Sequence, residues 1–309
     1  MFDIIGKRYL YFAISLIVVI PGIIAMALWG IPRSIDFTGG TVYDVVFAAD
    51  APVSEEALRQ VYLALEYPEP HVVEAEMEDR QRFQIRSAEV SPEGKTALDA
   101  ALRAEFGEYE ELSFAAAGSS VGRQVTRNAA IAVALAALAI CGYLTIMFRN
   151  VSNPLRYGVC AIAAMLHDVL LVLGLAAIVG RFLGWEVDAL FLTALLTVIG
   201  FSVHDSIVVF DRIRENSGKM RGHAYERIVN ASVVQTLDRS INTQLTALFT
   251  LVSIFVFSEG QLQRFVFWMI IGLISGTYSS IFNAAPLLVV WHNREWERWF
   301  GARPAQSTT

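Results

Sequence analysis

Two cysteines, Cys141 and Cys160, are all that the 309 residues contain, and both fall inside apolar runs. That pattern excludes a disulfide framework and a cysteine metal centre, and two small apolar side chains are the plain reading. Charge is scarce as well. Asp, Glu, Lys and Arg make up 17% of the chain, against about 25% in soluble domains. The formal net charge of −6 offers no basic surface for nucleic acid. There is no Walker A loop, no GxSxG nucleophile and no metal-ligand cluster. The expectation is a protein that is not an enzyme, binds no metal or cofactor and does not hydrolyse ATP. Low-complexity sequence is missing too, apart from the polar tail PAQSTT.

Apolar residues are what the chain has in excess: 55% of it is hydrophobic and the mean hydropathy is +0.47. Several mostly apolar runs reach the roughly 18 residues needed to cross a bilayer, so a multi-pass membrane protein in contact with lipid is expected. Six spans are read, at about 9–29, 128–148, 155–179, 187–209, 238–258 and 265–291. The first follows Lys7 and Arg8, and Ala25-Met26-Ala27 loosely resembles a signal-cleavage site. Its apolar run is longer than the roughly 7–15 residues of a signal peptide, so an uncleaved helix is expected. Basic residues set the orientation. Lys7 and Arg8, then Arg149 and Arg156, then Arg212, Arg214, Lys219, Arg221 and Arg227, then Arg294, Arg298 and Arg303 all fall on one side of six spans. That side reads as cytoplasmic, with both termini on it.

The segment 31–126 then lies outside, between spans one and two. It carries 18 Asp and Glu against 8 Lys and Arg. TVYDVVF (41–47) reads as a strand, and Ser54 opens a helix with Leu58, Val61 and Leu65 on one face. HVVEAE (71–76) and RFQIR (82–86) read as strands around a turn near Glu78-Asp79. Ser91-Pro92 starts a helix with the stripe Leu98, Leu102 and Phe106, and YEELSF (109–114) closes the series. This β-α-β-β-α-β order is that of an α+β ferredoxin-like unit. The expected organisation is residues 1–30 for the N-terminus and first span, 31–126 for the outside domain, 127–292 for five further spans, and 293–309 for the tail. By fold class this is an all-α membrane protein with one extracytoplasmic ferredoxin-like domain.

Ionisable residues inside spans are the candidates for chemistry, because an Asp at a helix centre costs roughly 2.5–3.5 kcal/mol on insertion scales. Asp205 lies six residues before Asp211, the expected boundary, or about 9 Å along the helix. It is either a carboxylate just deep enough to reach water or paired only for structure, or a functional one. In the fifth span Arg239, Asn242, Thr243, Thr246, Thr250 and Ser253 fall on one helical face. Such a stripe either joins helices by hydrogen bonds or lines a water path. Spans four and five are antiparallel neighbours, which makes a contact between Asp205 and Arg239 geometrically reasonable. His167 and Asp168, near the middle of span three, read equally as a relay or as helix-packing polar residues. DFTGG (36–40), with Asp36, Phe37, Gly39 and Gly40, is either a linker turn or a coupling element between domain and membrane.

DFTGG, LHDV (166–169), SVHDSIVVFDRIREN (202–216) and QTLDRSINTQLT (235–246) occur in the order seen in the SecF branch of the SecD/SecF protein-export family, which the chain resembles over nearly its whole length. The family belongs to the resistance-nodulation-division class. The resemblance implies use of the proton gradient, with protons as the coupling ion, to assist movement of an unfolded exported polypeptide. It places the relay carboxylate on Asp205 and its basic partner on Arg239. A further relay carboxylate would reside on SecD, so SecD and the SecYEG translocon are the implied partners. The implied location is the cytoplasmic membrane of a bacterium or archaeon. GSSVGRQVTR (118–127) departs from the family form, which often has a proline there, and His204 stands where the family often has Asn. A half-size exporter of small molecules or lipids and a passive translocon scaffold are the alternative readings.

Overall fold

The computed structural model describes residues 3–48, 51–68, 70–77, 80–149, 151 and 153–299. The expected turn at Glu78-Asp79 and the tail from residue 300 lie outside the described residues. Two compact units are present: Arg33–Ala130, and Met1–Pro32 together with Ile131–Thr309. A short 3-10 turn at Ile5–Lys7 leads into helix α1 (Arg8–Trp29).

In the first unit a one-turn helix, α2 (Ile35–Thr38), is capped by the Ser34 hydroxyl, which accepts from the Asp36 N–H at 3.2 Å. Strand β1 (Gly40–Ala48), helix α3 (Glu55–Ala64), strands β2 (His71–Met77) and β3 (Arg80–Ser87), helix α4 (Pro92–Phe106) and strand β4 (Glu110–Ala117) follow. The four strands form one antiparallel sheet in the order β2-β3-β1-β4. Side chains alternate along each strand, so the register Tyr43↔Ile85 and Val45↔Phe83 sets four buried residues on one face. Against that face lie Leu58 and Tyr62 of α3 and Leu98, Leu102 and Phe106 of α4. Val61 and Leu65 sit at the margin, half-buried. Ser54 and Ser91 cap the two helices, accepting from the N–H groups of Ala57 and Gly94. A polar network unseen in the sequence joins α4 to the sheet. Asp99 Oδ1 accepts from the Tyr43 hydroxyl at 2.7 Å and the Tyr109 hydroxyl at 2.9 Å. Burial alone would raise the Asp99 carboxyl, but these two hydroxyls and Lys95 hold it below the usual range.

The remaining helices are long: α5 (Ser119–Met147), α6 (Leu155–Leu183), α7 (Ala189–Lys219), α8 (Tyr225–Phe257) and α9 (Gly260–Ser279). A π-helical segment, Ser280–Ala284, joins α9 to α10 (Ala285–His292), and a last turn, α11, covers Trp296–Trp299. Among the described residues six helical stretches are long and apolar enough to cross a membrane, the last running from Gly260 to His292. The architecture is therefore mostly helical, with six candidate spans and one small antiparallel sheet. Several helices run beyond the expected spans, α5 among them, which begins at Ser119 rather than at residue 128. Helix α7 continues past Asp211 to Lys219, and α8 begins at Tyr225, before residue 238. In these extensions polar pairs, such as Arg212 Nε with Gln235 Oε1 at 2.7 Å, join the two helices beyond their apolar parts.

At one end of the bundle the chain is clamped. The N–H groups of Ile4 and Ile5 donate to Asn230 Oδ1 at 2.9 and 3.1 Å. Arg8 grips Glu295 with two nitrogens, at 2.6 and 3.1 Å. Beside this clamp, Phe148 stacks on Tyr157 with ring centres 4.7 Å apart, over a core that includes Phe210, Val233 and Leu288.

Candidate functional site

Close approach of helices makes the site. A Cβ built on Gly276 would lie 3.2 Å from Ser202 Cα, and one built on Gly272 would collide with Val198. The absence of side chains there lets α9 settle against α7. Ser275 and Ser279, one turn apart on α9, then face Asp168 of α6 together with Ser202 of α7.

Asp168 is fully buried. Its Oδ2 accepts from the hydroxyls of Ser202 and Ser279, each at 2.6 Å. Its Oδ1 accepts from Ser275 at 2.6 Å and lies 3.0 Å from His167 Nδ1. An ionised carboxylate has about four acceptor positions, and here each oxygen meets two polar neighbours. His167 stacks loosely on Tyr278, and its Nε2 is buried with no hydrogen-bond partner. It borders an apolar cavity of about 290 Å³ with Ile14, Val18 and Leu171.

Asp205 is differently placed. It is 4% exposed, and its Oδ2 accepts from the Ser280 hydroxyl at 2.9 Å. One donor thus stands where Asp168 has three serines. Ser279 and Ser280 can serve two different helices because consecutive residues on a helix point about 100° apart. The π segment begins at Ser280. Its cause is Pro286, which has no N–H for the Phe282 carbonyl and whose ring crowds that carbonyl, so the turn widens. The widened turn also bonds α1, through Asn283 Oδ1 and Ser15 Oγ at 2.9 Å. Neither the serines nor the π segment emerged from the sequence; Pro286 inside an apolar span, just after paired serines, was the available signal.

The expected contact between Asp205 and Arg239 is not made in this conformation. Arg239 is exposed on α8, as are Asn242, Thr243 and Thr246, and no ion pair joins the two charges among the described residues. The stripe hydroxyls bond back to their own helix: Thr246 to the Asn242 carbonyl at 2.8 Å, Thr250 to Thr246 at 3.2 Å. A second polar face, Ser232, Thr236, Ser240 and Gln244, is the one turned inward. On it Ser240 Oγ and Gln244 Oε1 are buried without a hydrogen-bond partner, as is Ser206 Oγ on α7. The two faces differ by one residue, or about 100° of rotation. His204 is exposed.

Within the sheet unit, DFTGG lies against the start of α5. Phe37 is buried, Gly39 has φ 75° and Gly40 φ 115°. A Cβ on Gly39 would come within 2.5 Å of Ser119 Cα, and one on Gly122 within 2.8 Å of the Phe37 carbonyl oxygen. Asp36 sits in the first turn of α2. This segment and the sequence 118–127 therefore meet. Among the described residues no group of His, Cys, Asp and Glu is arranged to hold a metal.

Comparison with known proteins points to the SecD/SecF family. Residues 97–294 match the family model of the protein export membrane protein SecD/SecF, C-terminal. The chain is 47% identical to the protein translocase subunit SecF of Thermobaculum terrenum, over 97% of both chains. It is 46% identical to that of Anaerolinea thermophila, over 99% of this chain and 100% of the relative. The crystal structure of SecDF, a translocon-associated membrane protein of Thermus thermophilus, superposes with a TM-score of 0.76 at 31% identity. That match covers 95% of this chain and 39% of the SecDF chain, so this chain spans about two-fifths of it.

Proposed function

The chain belongs to the SecD/SecF family of protein-export membrane proteins and has a SecF-like role in export, and from that premise we propose that it uses the proton motive force through Asp205. The observation that carries this reading is the contrast between two buried acids. Asp168 meets three serine hydroxyls and His167, whereas Asp205 meets one hydroxyl. A carboxylate taken out of water with few donors favours its neutral form, and a guanidinium brought beside it favours the charged form. In this reading Arg239 is the movable guanidinium, and the conformation described is one in which the pair is apart. A proton is bound while they are apart and expelled when they meet. Each charge moved across the membrane is worth about 2.3 kcal/mol per 100 mV, enough to bias helix positions.

The exposed face of Arg239, Asn242, Thr243 and Thr246 then serves a partner chain. Relatives in which one chain is named SecDF support association with SecD, which would bring the further relay carboxylate. The SecYEG translocon and an unfolded polypeptide are the remaining proposed partners, with protons as the only coupling species and no enzymatic activity in the chain itself. The sheet unit is read as a ferredoxin-like domain outside the cytoplasmic membrane, supported by its element order and the strand order β2-β3-β1-β4. Both termini are placed in the cytoplasm. Asp36, Phe37, Gly39 and Gly40, packed against the start of α5, are proposed to couple that domain to the spans.

Asp205→Asn tests the proposal, assayed as proton-gradient-dependent export in membrane vesicles containing SecD. Export is expected to fall to the level without a gradient, while membrane abundance and co-purification with SecD stay unchanged. Wild-type export by the variant would refute the proton-binding role and return the chain to a scaffold.

A further inference from the structure

The Ser280 hydroxyl has one hydrogen and two acceptors. Its Oγ lies 2.9 Å from Asp205 Oδ2 and 3.0 Å from the Thr277 carbonyl oxygen of its own helix. Both acceptors cannot hold the same hydrogen. When Asp205 is ionised, the hydroxyl donates to the carboxylate, which has no hydrogen of its own to offer. When a proton adds to Oδ2, that new O–H becomes the donor to Ser280 Oγ, and the serine hydrogen is free to turn to Thr277. The exchange balances: one proton arrives at Oδ2, one hydroxyl rotates, and each donor retains an acceptor. Ser280 is fully buried, so water does not compete for either position.

Ser279 repeats the arrangement without the freedom. Its Oγ is 2.6 Å from Asp168 Oδ2 and 3.2 Å from the Gly276 carbonyl oxygen. The shorter bond goes to a carboxylate already held by Ser202 and Ser275, so Ser279 is the fixed member of the pair. The helices packed against α7 carry other titratable or charged groups, Tyr157 and Cys160 of α6 among them. Helix α6 brings Asp168 and His167, and α9 brings Tyr278, whose hydroxyl donates to the Tyr11 carbonyl at 2.8 Å. Helix α8 carries Asp238 and Arg239, both exposed, and α7 itself carries His204, exposed, and Asp211, paired with Arg214 at 2.7 Å.

We propose that Ser280 is a positioning residue for Asp205, a hydroxyl that moves its one hydrogen between the Asp205 carboxylate and the Thr277 carbonyl as the carboxylate loses and gains a proton. The inference rests on the reading of Asp205 as the proton-binding group. It assigns to the entrance of the π segment the task of receiving the protonated acid, so that the buried Ser280 hydroxyl has an acceptor in either state of Asp205.

The test compares Ser280→Ala, Ser280→Thr and Asp205→Asn in the full chain co-expressed with SecD, measuring gradient-driven export across a series of pH values. Ser280→Ala is expected to slow export roughly tenfold, the weight of one hydrogen bond to a charged group, and to displace the pH at which export is half-maximal. Ser280→Thr, which keeps the hydroxyl, should restore both rate and profile. If Asp205→Asn is inactive while Ser280→Ala keeps the wild-type rate and profile, the role of Ser280 is overturned and that of Asp205 stands. If Asp205→Asn exports normally, the Asp205 reading itself is lost. Should Ser280→Ala fail to accumulate or to co-purify with SecD, Ser280→Cys takes its place. A weaker donor of similar size should give an intermediate rate and a displaced profile, and an unaltered profile counts against the proposal.

Discussion

Gly22 of α1 and Gly174 of α6 meet backbone to backbone: a Cβ built on Gly174 would lie 2.5 Å from Gly22 Cα. Between apolar helices in a bilayer, association depends on close packing rather than on exclusion of water, and small residues permit it. Gly174→Val forces the helices apart. A loss of about 1–3 kcal/mol is expected from the overpacking, read as a lower melting temperature of the detergent-solubilised chain. Gly174→Ala should fall between the two, and an unaltered melting temperature for the valine variant would show that α1 docks elsewhere.

The serines around Asp168 should act as a unit. Ser275→Ala or Ser279→Ala each leaves a buried carboxylate one donor short, at a cost of about 1–3 kcal/mol. Because both donate to the same group, the double variant should depart from the sum of the singles. Thermal unfolding of the four proteins of this cycle measures the coupling; strict additivity would mean that the hydroxyls do not share the carboxylate.

Glu295 makes acid stability depend on the clamp. Burial alone would raise its carboxyl, but the hydrogen bonds from Arg8, Tyr9 and Asn293 hold it below the usual glutamate range. A group lowered on folding contributes stability above its unfolded value, about 4.3, and loses that contribution as the pH falls through the folded value. The melting temperature of the wild type should therefore drop below about pH 4.3 more steeply than that of Glu295→Gln. At neutral pH the variant, which leaves Arg8 with Glu226 at 3.2 Å as its remaining acid partner, should be the less stable by about 1–3 kcal/mol. Parallel melting curves across this range would assign the acid response to other carboxyls.

Much of this organisation is visible in the sequence because it depends on local pattern. Six spans follow from run length, and the sheet unit follows from the alternation in TVYDVVF and the stripe Leu98, Leu102 and Phe106. Asp168 and Asp205 stood out as carboxylates in apolar runs, and both are buried. What surrounds them was not legible, since Ser202, Ser275, Ser279 and Ser280 reach the acids across helix contacts that no spacing reports. Helix α8 illustrates the limit. It has two polar stripes offset by one residue, periodicity treats them alike, and packing turned the Ser240 face inward and left the Arg239 face exposed. The π segment escaped notice because its cause, Pro286, acts on the turn before it.

The clamp on Ile4, Ile5 and Arg8 has a mechanical consequence. With Ile4 and Ile5 tied to α8 through Asn230, and Arg8 tied to Glu295 just after α10, the first and last spans are joined at one end of the bundle. A load applied at residue 3 would be shared at once with the last span and with α8 instead of peeling α1 away alone.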